Sequence, residues 1–232
     1  MLDNNLLKFT QKLQYVFKNE EFFKESLNHR SFVNEQNVAI KDNERLEFLG
    51  DAVLGLVIAH ILMDRYPYLK EGSLTVIRSA LVNERQLASI ARSLDLGNCI
   101  LLGKGEEQTK GREKDSILSD VFEAVIAAIY LDGGYDAVFK VIDFIFSKKI
   151  KIVVSEREAN CYKSQLQELV QAAHYNVPCY NVIKESGPDH DKTFIVELKT
   201  GKFAVLGVGK SKKRAEQDAA RLVLEIIQKE GL

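Results

Sequence analysis

The sequence predicts two domains: an all-α domain over residues 1–150, a linker at 151–160, and a small α+β domain over 161–230. The second should run α-β-β-β-α, with an antiparallel three-stranded sheet. Three observations predict this. Leu46–Met63 and Ile117–Leu131 are apolar almost all round and lack proline, as helices buried in a bundle are. Nothing before about residue 150 reads as a sheet. After the charged stretch Ser155–Asn160, which reads as the linker, short β-rich runs appear between turn residues.

Asn4–Phe17, Glu20–Leu27, Leu74–Leu94 and Tyr135–Lys149 carry apolar residues at helical intervals with charges between them, and should surround the two apolar helices. Lys163–Ala173 reads as a helix. Tyr180–Ile183, Thr193–Leu198 and Phe203–Val208 read as strands, separated by Gly187-Pro188-Asp189 and by Thr200-Gly201. Lys212–Gln228 closes the domain as a helix with Ala215, Ala219, Leu222 and Ile226 on one face.

The chain has 232 residues, and 46% hydrophobic content is enough to bury two cores, so disorder is excluded as the default. Residues 1–150 hold 19 basic and 22 acidic side chains, and residues 151–232 hold 13 and 11, so the second half leans basic. Cys99, Cys161 and Cys179 stand far apart without a CxxC pair, which points to neither a disulfide framework nor a zinc site. Met1–Thr10 lacks the form of a leader, and no stretch approaches the roughly 20 apolar residues of a membrane span. The expectation is a cytoplasmic protein with no membrane partner and no organic cofactor.

Glu44, Glu47 and Asp51 are spaced at three and four residues, so a helix projects them as one stripe. The stripe runs straight into Ala52-Val53-Leu54-Gly55-Leu56-Val57-Ile58. Asp120 and Glu123 repeat the geometry inside the second apolar segment. An unpaired buried carboxylate costs several kcal/mol, so such acids need a cation or a proton. Only Arg45 lies within the first stripe and no basic residue within the second. Oxygen ligands from two helices suit a hard divalent ion, Mg²⁺ or Mn²⁺. The competing reading seats each acid at a helix end or beside a basic residue from elsewhere in the fold.

The stretch Asn43-Glu44-Arg45-Leu46-Glu47-Phe48-Leu49-Gly50-Asp51 resembles the signature of the ribonuclease III family. The resemblance continues through Asp115–Ala124 and Leu131-Asp132-Gly133-Gly134 and then through the second domain. It implies an endoribonuclease that hydrolyses double-stranded RNA, as in ribosomal RNA precursors and other structured transcripts. The ends would carry 5′-phosphate and 3′-hydroxyl groups with short 3′ overhangs. It implies Glu47, Asp51, Asp120 and Glu123 as metal ligands, with Mg²⁺ the cofactor and Mn²⁺ a substitute. It counts Asp51 and Glu123 as catalytic, together with Glu44 and Glu71, which match acidic positions of the family's RNA-processing cleft. Glu71, just before Gly72, is equally an ordinary helix-start residue. A homodimer is implied as well, with Phe48 entering a socket on the partner; a plain core phenylalanine is the alternative.

Residues from about Lys163 to Gln228 resemble the double-stranded-RNA-binding domain, which reads duplex shape, 2′-hydroxyls and phosphates. Gln165 and Glu168 match its first helix, and His190, in Gly187-Pro188-Asp189-His190, matches its loop. Lys210, Lys212 and Lys213 match the basic start of its last helix, where unpaired N–H groups already favour phosphate. Many family members have an Asp-Pro pair where this chain has Cys161-Tyr162, which leaves the domain's start open by several residues. A non-catalytic duplex-binding protein is the competing reading, but it has no physical need for all four acids.

Overall fold

The computed structural model describes residues 4–37, 39–159, 162–188 and 191–230. Two units divide the chain, Met1–Val153 and Val154–Leu232. The first contains α1 (Asn4–Leu13), α2 (Glu20–Ser26), α3 (Arg30–Val33), α4 (Glu44–Arg65), α5 (Glu71–Leu81), α6 (Glu84–Ser93), α7 (Lys104–Gln108) and most of α8 (Asp115–Ala159). Short 3₁₀ turns lie at Leu96–Cys99 and Gly111–Glu113. Among its described residues the one β-type pairing is a bridge between Asn28 and Leu101.

α4 starts where the Asp42 carboxylate accepts the Glu44 N–H at 3.2 Å. The buried Asn43 donates its side-chain amide to the Ser26 carbonyl and its backbone N–H to the Asn28 carbonyl. Glu44 and Glu47 occupy the first turn, where unpaired N–H groups favour negative charge. The helix stops at Tyr66, immediately before Pro67, because a proline disfavours helical geometry in the residue that precedes it.

One side of α4 enters the core through Leu46, Val53, Leu54, Val57, Ile58, Ile61 and Leu62. The expectation that α4 is buried all round is corrected: Phe48, Leu56 and Met63 stay 82%, 59% and 63% exposed. The neighbouring helices of a single chain cover only the opposite side. The expectation about membrane spans needs correcting too, because α4 is long and apolar enough to cross one by length and composition. Its acidic first turns and its half-buried apolar side mark it instead as a core helix.

The long helix expected over Leu74–Leu94 is two helices. Asn83 caps the second, its Oδ1 accepting the Gln86 N–H at 3.0 Å. An Asn followed three residues later by Gln is a helix-start signal that the apolar periodicity masks. α1 ends at Leu13, short of the expected Phe17, where Gln14 turns left-handed (φ 55°).

The helices expected over Ile117–Leu131 and Tyr135–Lys149 are the two arms of α8, which breaks helical geometry at Gly134 (φ 77°, ψ −172°). Just before the break, Asp132 accepts hydrogen bonds from the Tyr15 hydroxyl and from the backbone N–H groups of Lys18 and Asn19. Tyr15 lies against Gly133 so closely that a side chain there would overlap it. The Leu131-Asp132-Gly133-Gly134 motif thus fastens the segment after α1 to the bend in α8. Residues 151–159, expected to form most of a linker, are helical and continue α8.

The second unit contains α9 (Tyr162–Ala172), β1 (Cys179–Ser186), β2 (Thr193–Thr200), β3 (Phe203–Gly209) and α10 (Lys212–Glu230). The strands form an antiparallel sheet in the order β1-β2-β3, with Tyr180 opposite Leu198 and Val196 opposite Gly207. A bulge between Val182 and Lys184 lets β1 run past its expected end at Ile183. Leu166 and Val170 of α9, Leu198, Phe203, and Ala219, Val223 and Ile227 of α10 make the core. The buried face of α10 passes through Val223 and Ile227; the expected Leu222 and Ile226 lie at its edge.

Candidate functional site

Small residues bring α4 and α8 together at the acidic stripes. Leu46 packs on Ala124 and Ala127, and Gly50 lies against the backbone of Glu123. Glu47, nearly one turn before Gly50, therefore meets Asp120 and Glu123 across the helix pair. One carboxylate oxygen from each of the three lies within 4.8 Å of the other two. Asp51 stands one turn beyond Glu47, outside this trio and more exposed, yet close enough to repel Glu47 and Glu123.

The electrostatics match that crowding. Burial lifts the Glu123 carboxyl from its ordinary 4.5 to about 8, with Asp51, Asp120 and Glu47 adding repulsion. Burial also raises Glu47, helped by Asp120, Glu44 and Asp51, and raises Asp120, helped by Glu84. Among the described residues none of Glu47, Asp51, Asp120 and Glu123 has a basic side-chain partner. Partly buried carboxylates without a counter-charge are a donor set that fits a hard divalent cation.

Glu44 behaves differently. At the start of α4 it pairs with Arg30 Nη1 at 2.7 Å, so for this residue the helix-end, basic-partner reading holds. Glu71 stands at the start of α5, exposed, accepting a hydrogen bond from the Thr75 hydroxyl at 3.0 Å. It does not line the cavity of about 340 Å³ that opens beside the trio. His29, Arg30, Asn43, Glu44, Glu47 and Asp120 do.

Nothing in the sequence marks His29 and Arg30 as site residues, since neither belongs to a periodic acidic pattern; Asn43 opens the signature stretch but is not singled out there. The His29 ring caps α3, its Nδ1 taking the Ser31 N–H, and burial lowers its pKa. Phe48, next to the stripe, points into solvent rather than into the core, which removes the plain core reading.

In the second unit Gln165 and Glu168 lie exposed, nearly one turn apart on α9. His190 falls outside the described residues. Lys210 reaches Asp191 at 2.7 Å, and Lys212 reaches Glu185 at 2.9 Å. Lys213 is exposed and has no ion-pair partner among the described residues. The two pairs are exposed, and exposed pairs hold by roughly 1 kcal/mol or less, so they yield readily to a stronger anion. Ser211 caps the helix that these lysines open, accepting the Arg214 N–H at 3.2 Å.

Comparison with known proteins fits both halves of this geometry. A family model described as ribonuclease-III-like matches residues 19–150, and the double-stranded RNA binding motif matches residues 162–227. Ribonuclease 3 of Syntrophobacter fumaroxidans is 49% identical, covering 93% of this chain and 91% of its own. Ribonuclease 3 of Borreliella burgdorferi is 43% identical, covering 97% and 92%. The nuclease domain of ribonuclease III from Campylobacter jejuni superposes with a TM-score of 0.58 at 42% identity, over 63% of this chain and 97% of that domain. A second structure of that domain (TM-score 0.57, 43% identity, 61% and 95% covered) concerns flexibility in a region involved in dimer formation.

Proposed function

The chain belongs to the ribonuclease III family, an endonuclease of double-stranded RNA with its own RNA-binding domain, and from that premise we propose how it cuts. Glu47, Asp51, Asp120 and Glu123 hold a divalent cation, Mg²⁺ or in its place Mn²⁺. The observation that carries this reading is the trio of Glu47, Asp120 and Glu123, gathered from two helices without a basic partner among the described residues. When bound, the cation acidifies a water, offsets charge on the scissile phosphate and helps align the displacement.

The side chains do the rest. Burial and the neighbouring acids favour the protonated Glu123 carboxyl while the site is bare, and that proton must leave for Glu123 to act as a ligand. Asp51, exposed one turn beyond Glu47, completes the ligand set from the far end of the stripe. The water's oxygen joins phosphorus as the bond to the 3′ oxygen breaks, and the proton goes to that oxygen. The products are 5′-phosphate and 3′-hydroxyl ends, with no covalent intermediate on a side chain.

Gln165, Glu168, the His190 loop and Lys210, Lys212 and Lys213 grip the duplex, since the lysines add full charge to a helix start that already favours phosphate. Phe48, Leu56 and Met63 form an exposed apolar stripe along α4 that suits a second copy of the chain. Two copies give one acidic site for each strand and hence short 3′ overhangs. Glu71 serves the same cleft, and structured transcripts such as ribosomal RNA precursors are the substrates.

The test incubates a labelled RNA duplex with the protein, with and without Mg²⁺, beside Glu123→Gln. Metal-dependent cutting that vanishes in the variant while duplex binding persists is the expected result. Equal cutting by the variant, or cutting in the presence of a chelator, overturns the reading.

A further inference from the structure

Among its described lining residues the cavity beside the acidic trio has one permanently cationic side chain, Arg30, which plays no part in holding the metal. The residues on either side of Arg30 are held from several directions. The His29 N–H donates to the Leu101 carbonyl, the Asn28 carbonyl accepts from Asn43, and the Ser31 hydroxyl accepts from the Gly103 N–H. The side chain is not fixed by burial, being 65% exposed, and its Nη1 lies 2.7 Å from a Glu44 carboxylate oxygen. Glu44 itself sits at the start of the helix that carries Glu47.

We propose that Arg30 is a substrate-binding residue: its guanidinium takes a non-bridging oxygen of an RNA backbone phosphate at the cavity, with Glu44 as the positioning residue that aims it. This rests on the duplex-cutting reading of the site. The acids that line the cavity, Glu44, Glu47 and Asp120, repel an approaching phosphate, and the cationic Arg30 in the same lining offsets that repulsion. A guanidinium offers five N–H donors in a planar fork, so engagement of Nη1 by Glu44 leaves others for phosphate. The ion pair is also exposed enough to loosen at little cost as RNA arrives.

The test compares the full-length parent with Arg30→Gln, Arg30→Lys and Glu44→Gln. Duplex affinity is measured against NaCl concentration in a chelator, and single-turnover cleavage is measured in Mg²⁺. Removing one cation from the phosphate backbone flattens the plot of log affinity against log salt by about 0.9. Arg30→Gln should show that flattening and cleave about tenfold more slowly, the effect expected when one hydrogen bond to a charged group is removed. Arg30→Lys should keep the slope and recover part of the rate, and Glu44→Gln should keep the slope but cleave more slowly. An unchanged slope in Arg30→Gln, or flattening in Arg30→Lys equal to that in Arg30→Gln, overturns the proposal while leaving the duplex-cutting reading intact. A parent that neither binds nor cuts the duplex overturns both.

Discussion

Gly50 lies so close to Glu123 that a Cβ on it would occupy the space of the Glu123 carbonyl oxygen. The obstacle is backbone, which cannot rotate away as a side chain can. Gly50→Ala should force α4 and α8 apart, costing about 1–3 kcal/mol as other overpacked cores do. It should also widen the Glu47–Asp120–Glu123 trio. The expected outcome is a lower Tm together with weaker Mn²⁺ binding by calorimetry. A drop in Tm with unchanged Mn²⁺ affinity would separate the helix packing from the site.

Glu123 gives the metal-free protein a pH dependence with a definite sign. Its carboxyl is raised from the ordinary 4.5 to about 8, so between those values the folded state holds a proton that the unfolded chain has released. Unfolding then releases protons, and stability falls as pH rises through that window. Glu123→Gln cannot ionise and escapes the loss. Thermal melts in a chelator should therefore show the variant gaining on the parent from pH 5 to pH 8. Metal binding at pH 7 should release protons, seen as a calorimetric heat that varies with the buffer's ionisation enthalpy.

Phe48 is 82% exposed, so removing its ring should leave the monomer's stability nearly unchanged. If it anchors a second copy, Phe48→Ala should weaken the dimer by about 30-fold or more, the effect typical of truncating a buried aromatic anchor. Sedimentation across a concentration series reads this directly. An unchanged dissociation constant would move the interface elsewhere.

Lys212 and Lys213 open α10 on the second unit. Replacing both with alanine should flatten the salt dependence of duplex binding by about 1.8, or 0.9 for each phosphate no longer neutralised. Melting should barely shift, because both side chains are exposed and the Lys212–Glu185 pair lies at the surface.

Both apolar helices and the acidic stripes are legible in the sequence because period and charge are local properties. Glu47 and Glu123 can be paired from it since each lies on a strongly apolar helix. Arg30 cannot. Its place in the cavity depends on the bridge between Asn28 and Leu101, which joins segments far apart in the chain and leaves no periodic trace. The exposure of Phe48 is hidden for a related reason: an apolar residue on an apolar helix looks the same whether the chain's own core or a second copy covers it.

Neighbouring glycines at the bend of α8 resist replacement for unrelated reasons. Position 133 has no room, because the Tyr15 hydroxyl occupies it; position 134 has open space, but its backbone angles lie where L-amino acids do not go. D-alanine, whose allowed backbone angles mirror those of L-residues, should therefore carry no such backbone strain at 134 when introduced there by chemical ligation. Chirality, rather than size, is what the second glycine answers.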